Sequence, residues 1–416
     1  MRIPESEEAR IRDYQARLGI VDWIVCAFTT SAAWVLVRCC RPNGGSTALA
    51  CVATLASFVV VRGALLERLY RNTLIANPRL VSDADSRFHQ FDGDVLTHYK
   101  LTRPRDASPI IRVCHAAHGF GGSTISWDAV RDAIAQRCQV AFVDHDCPGF
   151  GLTQRPPRIR DYELSRNGER SVKLTSLIKA KLDVGSARTA FVGHSMGGIS
   201  AAYAATHSDA DAAALVLVAP AIFAPAAEEE APKPRPRSLR GRLLVLRNKL
   251  MRLLPEWLAY GLISPFILFG LRKAVRARAF WRKGLASCLY DGGAKLTDVS
   301  IDAYRRPKVL KDWDVGMTKF TFAMARGMGW AGVGGGVANR LKEAAKNGLP
   351  IMIIHGAQDR IVPLANSERL AKFLRAAGGD GARVTVEPFE ACGHLPMDEH
   401  PKRFVDAVAA FLSKCA

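Results

Sequence analysis

Apolar residues are distributed in two different ways along this chain, and the change falls near residue 85. Before it, two long runs are apolar almost throughout, "IVDWIVCAFTTSAAWVLV" at 20–37 and "STALACVATLASFVVV" at 46–61. The second continues past Arg62 into "GALL". Each approaches the roughly 20 residues that cross a bilayer. Between them "RCCRPNGG" carries Pro42, Asn43, Gly44 and Gly45, which is turn chemistry. Residues 1–80 are therefore expected to form a polar tail and a hydrophobic helical hairpin. The hairpin either spans a membrane or packs as two buried helices on the rest of the chain. Arg2, Arg10, Arg12 and Arg17 precede the runs, Arg38 and Arg41 separate them, and Arg62, Arg68, Arg71 and Arg79 follow. In a membrane this bias places both ends inside, so that the remainder faces the cytosol or an equivalent compartment. The long polar start and the lack of a small-x-small site in the break do not suit a cleaved signal, and the acidic Glu5, Glu7, Glu8 and Asp13 do not suit a transit peptide.

After residue 85 the pattern shortens. "VLTHYKL" (95–101) alternates as a strand does, and "PIIRVCHAAHG" (109–119), "QVAFVDHDCPGFG" (139–151), "ARTAFVGHS" (187–195), "AAALVLVAP" (212–220), "LPIMIIHGAQD" (349–359) and "ARVTVEPF" (382–389) are short β-rich runs. "WDAVRDAIAQRC" (127–138), "MGGISAAYAATHS" (196–208) and "RFVDAVAAFL" (403–412) have helical spacing. Strands alternating with helices predict an α/β fold, a mostly parallel sheet with helices on both faces. Such sheets place their chemistry at the carboxyl ends of strands. One segment, 221–335, interrupts the alternation and divides the core into 85–220 and 336–416. It opens with "APAAEEEAPKPRPR" (224–237) and continues apolar, basic and helical.

Charge bears on that segment. The chain of 416 residues has a net charge of +19, and 221–335 holds 21 Lys and Arg against 9 Asp and Glu. There is no zinc spacing, RRM motif or helix-turn-helix signal, so nucleic acid is not the expected partner. Trp257, Phe266, Phe269 and Trp281 among the basic residues suit a surface that leans on anionic lipid headgroups. A lid packed on the core with solvated charges is compatible with this. Met317, Met324 and Met328 follow helical spacing, as lid packing would, and "GVGGG" (332–336) suits a flexible return to the core. Ten cysteines without a CxxC pair or regular spacing argue against a zinc site and a disulfide framework.

Candidate chemistry collects at the predicted strand ends. Gly193-His194-Ser195-Met196-Gly197 is a G-x-S-x-G pattern between a strand and a helix. A serine hydroxyl becomes a nucleophile only beside a base and donors for the oxyanion. The pattern calls for an acid and then a histidine further along the chain. Asp359 in "IIHGAQDRIVP" and His394 in "EACGHLPMDEHP" fill those places, with His400 the weaker histidine. The expected oxyanion donors are the amides of Met196 and Phe120, the latter in His118-Gly119-Phe120-Gly121-Gly122, where Gly119 and Gly121 let a substrate come close. That turn lacks Gly-Lys-Ser/Thr, so a nucleotide site is not expected. His115, His145 and His355 sit in or beside apolar runs and read as core or supporting histidines rather than metal ligands.

At these residues the chain resembles the α/β-hydrolase superfamily from about residue 85 to 416. "HGFGG", "DCPGFGLTQRP", "GHSMGG", "HGAQDRIVP" and "GHLPMDEHP" match its landmarks in order. The resemblance implies that 221–335 is a helical lid inserted after the sixth strand. "PGFGLTQRP" and "YRRPKVLKDWD" are similar to a branch common in plants, algae and cyanobacteria and often plastid-associated, although Cys147 stands where that branch has arginine. Dehalogenases and epoxide hydrolases of this fold carry aspartate at the elbow, so Ser195 implies acyl transfer. The His-Gly-Phe loop resembles enzymes for esters and thioesters with longer acyl chains. The expectation is a membrane-associated serine hydrolase for a lipophilic ester, needing no metal or organic cofactor. An acyltransferase or thioesterase with the same triad, and a membrane-anchored binding protein without turnover, are the alternatives.

Overall fold

The computed structural model describes residues 74–225 and 260–415, apart from 92, 107–108, 262–263, 265–266, 269, 273, 276, 295, 329–334 and 379–382. The predicted hairpin, Trp257, Phe266, Phe269 and most of the glycine-rich return lie outside the described residues. Among the described residues no helix is long and apolar enough to cross a membrane. The chain divides into two units, residues 1–80 with 309–312, and 81–308 with 313–416. In the small unit Ile75 bridges Leu310 in parallel, its N–H donating to Val309 O at 2.9 Å and its carbonyl accepting from Lys311 N–H at 2.8 Å.

The large unit is built on one eight-stranded sheet. Its strands are β1 (Arg87–Gln90), β2 (Leu96–Thr102), β3 (Arg112–Ala117), β4 (Val140–His145), β5 (Arg188–His194), β6 (Ala212–Val218), β7 (Ile351–Gly356) and β8 (Val384–Phe389). They lie in the order β1-β2-β4-β3-β5-β6-β7-β8. β1, β2 and β4 pair antiparallel, and every pairing from β4 to β8 is parallel. The expected α/β fold is therefore the observed one. The described helices of eight or more residues, with one short helix, are α1 (Arg131–Cys138), α2 (Leu164–Leu182), α3 (Gly197–Ala205), α4 (Arg278–Cys288), α5 (Asp298–Arg305), α6 (Trp313–Met328), α7 (Gly335–Lys346), α8 (Leu364–Gly378), α9 (Pro396–Glu399) and α10 (Pro401–Leu412). Helices α4 to α7 occupy the long connection between β6 and β7.

Period-two alternation sorts the sheet residues onto two faces. Cys114, Ala116, Phe142, Val192, Val216 and Ile354 join Trp127, Ile134, Phe404, Val408 and Leu412 in one core, which covers that face with α1 and α10. Tyr99, Val113, Ala141 and Val143 meet Leu174 and Ile178 of α2 on the other. Burying each large side chain contributes about 1.5–3 kcal/mol.

Polar groups inside this core are hydrogen-bonded in a chain. His115 joins Thr175 Oγ1 at 2.8 Å and His145 Nδ1 at 2.9 Å, His145 Nε2 lies 3.0 Å from Asn167 Oδ1, and Asn167 donates to Ser200 Oγ at 3.2 Å. The relay ties β3 and β4 to α2 and α3 and gives both histidine rings protein partners. Burial pushes the His145 imidazole down to about 4 and His115 well below the ordinary histidine range. A free histidine titrates near 6.5, so between pH 6.5 and 4 the unfolded chain takes up protons that the native chain refuses. Stability is then fully present above pH 6.5 and falls with pH below it, by about 1.4 kcal/mol per pH unit per such histidine. Thermal melts at pH 7, 6 and 5 should show a declining midpoint, and His145→Gln should flatten the slope. An unchanged slope in that variant would rule out the titration of this pair as its cause.

Candidate active site

Strand β5 ends at His194 and α3 begins at Gly197, so Ser195 and Met196 make the whole turn between strand and helix. Ser195 has φ +52°, the left-handed region that a non-glycine residue enters at a cost of roughly 1–2 kcal/mol. The conformation is held from both sides. Ser195 N–H donates to Val218 O at 2.8 Å, and its carbonyl accepts from Gly198 and Ala221 N–H, each at 3.1 Å. The turn is also too tight for side chains. A Cβ on Gly197 would run into the Ala117 and His118 carbonyls, and one on Gly193 into Gly197 O and Gly198 Cα. The pattern of small residues around this serine is thus a packing requirement at the end of β5.

Asp359 follows β7, and its carboxylate is heavily used. Oδ1 accepts from Ile361 N–H at 2.7 Å and Val362 N–H at 3.0 Å. Oδ2 lies 2.6 Å from His394 Nδ1 and 3.1 Å from His355 Nε2. Burial opposes the charged carboxylate, but the His355 and His394 contacts and the amides outweigh it, holding Asp359 well below the usual carboxylate range. An ionised Asp359 accepts the His394 Nδ1 proton and leaves Nε2 of that ring free to take another. The Ser195 hydroxyl is not hydrogen-bonded to His394 in this structure; contacts of this kind tighten when a substrate is bound.

His394 is also fixed through its main chain. His194 Nε2 donates to His394 O at 2.9 Å, and the two rings stand 4.9 Å apart. Burial, with His394 alongside, pushes His194 down to about 3, so the ring beside Ser195 is neutral. From the other side His394 N–H donates to Cys288 O at 2.6 Å. Glu399 completes the support, accepting from Gly393 N–H at 2.8 Å and Tyr290 N–H at 2.7 Å. The end of α4 and the histidine loop are therefore joined by two main-chain donors, His394 N–H and Tyr290 N–H. His400 instead lies 2.9 Å from Ala391 O, away from Asp359.

The loop after β3 closes on itself, with Gly122 N–H donating to Gly119 O at 3.1 Å and Gly121 at φ +78°. A Cβ on Gly119 would press on the His194 ring and on Ser195 Cβ, so this loop lies directly against the elbow. His118 Nε2 accepts from Cys147 N–H at 3.0 Å, which leaves Nδ1 protonated to donate to Gly119 O at 2.8 Å. Burial lowers the His118 pKa and keeps that ring neutral. The main chain of Cys147 thus holds the loop, while its thiol is buried and pushed up to about 12. Among the described residues neither the Phe120 nor the Met196 N–H has an acceptor. Two free amides at facing ends of β3 and β5 are what a developing oxyanion needs.

Aromatic rings pack beside this loop. Phe120 is 59% exposed and meets Phe150 edge-on at 5.4 Å and Phe320 at 6.0 Å. Trp281 corrects the expectation of a lipid-facing surface residue. It is 7% exposed, with its indole N–H donating to Val275 O at 2.7 Å. Met317 is buried on α6, as lid packing requires. A cavity of about 430 Å³ is lined by residues that include Ile125, Leu285, Leu289, Tyr304 and Leu395. None of Ser195, Asp359, His394, Phe120 or Met196 lines it, so it is not where the nucleophile would meet a substrate.

The mostly parallel sheet with its flanking helices agrees with the comparisons to known proteins. The sequence profile of the alpha/beta hydrolase family matches residues 116–407, and the chain belongs to that family. Over 74 residues it is 38% identical to a 2-hydroxymuconate semialdehyde hydrolase of Pseudomonas sp. strain CF600, a stretch covering 17% of this chain and 24% of that one. The match thus spans about a quarter of that relative. The fold is similar to a membrane phospholipase A described as a bacterial virulence factor, at TM-score 0.51 and 19% identity, covering 88% of this chain and 95% of the other. It is also similar to a thermophilic esterase from Thermogutta terrifontis, at TM-score 0.52 and 16% identity, covering 80% and 99%.

Proposed function

We propose that this protein is a serine hydrolase that cleaves a lipophilic carboxylic ester through an acyl-enzyme on Ser195, at a membrane surface to which residues 1–80 attach it. The observation that carries the chemistry is the 2.6 Å hydrogen bond between Asp359 and His394, formed beside an elbow serine and two free amides. Ser195 Oγ attacks the ester carbonyl as His394 Nε2 takes its proton. The Phe120 and Met196 amides hold the oxyanion. His394 then gives the proton to the departing alcohol, and water attacks the acyl-enzyme by the same route. Asp359 stays ionised throughout and stabilises the imidazolium. The exposed ring of Phe120, backed by the buried Phe150 and Phe320, supports an apolar substrate. The attachment to a membrane is supported by the two apolar runs at 20–37 and 46–61.

A second reading, hydrolysis of a carbon–carbon bond, is favoured by the name of the Pseudomonas relative. Turnover of p-nitrophenyl esters from butyrate to palmitate, set against turnover of 2-hydroxymuconate semialdehyde, separates the two. Ester hydrolysis that rises with acyl length is expected. Cleavage of the semialdehyde alone would replace the ester reading. Recovery of the full-length chain in the carbonate-soluble fraction of a membrane preparation would remove the membrane part.

A further inference from the structure

We propose that Lys308 is a specificity-determining residue that binds a carboxylate carried by the substrate, next to the oxyanion loop. The inference rests on the hydrolase reading above and adds a substrate class to it. Lys308 follows α5 and is only partly exposed. Its ammonium sits 5.6 Å from the centroid of the Trp281 ring and 6.0 Å from that of Phe150. Phe150 in turn meets Phe120, whose amide is the proposed oxyanion donor. The cation therefore stands one aromatic ring away from Phe120, on the oxyanion loop.

Among the described residues no carboxylate pairs with this charge. Lys308 makes no hydrogen bond and no ion pair among them. Asp146 is the acidic group whose field reaches it, but its oxygens are already taken by His98 at 2.6 Å, Thr124 N–H at 2.7 Å and Leu152 N–H at 2.6 Å. Arg155 adds repulsion, with its guanidinium turned onto the Thr153 and Gly151 carbonyls at 2.6 and 2.7 Å. The nearby His118 is neutral. Lys100 shows the ordinary arrangement, since that buried ammonium lies 3.0 Å from both Asp83 and Asp85. Burial, reinforced by Arg155, pushes Lys308 down to about 7. Ring faces compensate a desolvated ammonium only in part. A carboxylate arriving between Trp281 and Phe150 would supply the missing charge, and an ammonium binds one as a point charge without demanding a fixed orientation.

The carboxylate could lie in the acyl chain or in the alcohol, and two arms separate these. The first compares mono-p-nitrophenyl adipate with p-nitrophenyl hexanoate, and the second compares 4-carboxyphenyl hexanoate with phenyl hexanoate. In at least one arm the wild type should favour the anionic ester in kcat/KM by about tenfold or more, the scale of one hydrogen bond to a charged group. Lys308→Met should abolish that ratio, and Lys308→Arg should keep part of it. The ratio is internal to each variant, so a partly folded sample does not disturb it. Binding of the same uncleaved esters to the Ser195→Ala protein should show the same preference and the same loss on adding Lys308→Met. Absence of a preference in both arms, or a ratio unchanged in Lys308→Met, overturns the proposal. Wild-type protein that binds the anionic ester selectively but cleaves none of the four overturns the hydrolase reading and leaves the carboxylate site standing.

Discussion

Replacing Ser195 by alanine is expected to abolish labelling by a fluorophosphonate probe and to lower ester turnover by on the order of 10⁴–10⁶-fold. The probe forms its bond to an activated serine, and Ser195 is the serine at the elbow beside His394. Its main chain is held by Val218, Gly198 and Ala221 rather than by its hydroxyl, so the variant should fold as the wild type does. Alanine keeps the strained φ of +52°, and the melting temperature should hardly move. Glycine at the same position removes the nucleophile and the strain together, and should raise stability by about 1 kcal/mol. Because serine and histidine act as one unit, Ser195→Ala combined with His394→Ala should cost little more than either change alone. Full labelling of the Ser195→Ala protein would show that another residue is the nucleophile.

Gly356→Ala should be nearly as damaging to activity, by a different route. Gly356 ends β7 and supports the turn that carries Asp359, accepting its N–H at 3.2 Å. Across the gap lies the histidine loop. An added Cβ would collide with Gly393 O and stand 2.5 Å from Cys392 O, and both are main-chain atoms that cannot rotate away. Strand and loop must separate, which moves Asp359 and His394 apart. A cost of about 1–3 kcal/mol in stability is expected from overpacking. Misplacing a catalytic group by about 1 Å can reduce the rate by about 10²-fold, so kcat should fall more than KM rises. Gly185→Ala is the control, because nothing lies within 4 Å of the added methyl and its φ is ordinary. Wild-type kcat in the Gly356→Ala protein would show that the loop is not positioned by this contact.

Much of the sheet was legible because its strands are buried on both faces and so read as short apolar runs. β1 escapes that test. Its four residues, Arg87 to Gln90, sit at the sheet edge, and none is fully buried. α2 is hidden for another reason, since its buried face mixes Leu164, Val172, Leu174 and Ile178 with Asn167, Gly168, Arg170, Ser171 and Thr175. Asn167 and Thr175 serve the histidine relay, Arg170 pairs with Asp94, and Gly168 allows a close crossing with α3, where a Cβ would strike Tyr203 and Ser200. None of these purposes leaves apolar periodicity behind. Ser195, Asp359 and His394 were legible from their order after strands, and the structure brings the last two into contact. The contacts of His355 with Asp359 and of Glu399 with the Gly393 and Tyr290 amides are made only once the loops fold, although Glu399 sits in a first helical turn where carboxylates seek free amides. Trp281 misled because aromatic residues among arginines suggest an interface, and only the fold reveals the indole turned inward.

The link between α4 and the histidine loop has a consequence for how such a chain can change over generations. Cys288 gives its carbonyl, and Tyr290, Gly393 and His394 give amide hydrogens; of these groups only the Glu399 carboxylate is a side chain. Peptide groups are the same at every position. Residues 288 and 290 can therefore be exchanged for many others without loosening the grip on His394. Divergence in the segment between β6 and β7 can reshape what reaches the serine while the base stays in place, and an unfamiliar lid sequence is compatible with an intact catalytic frame beneath it.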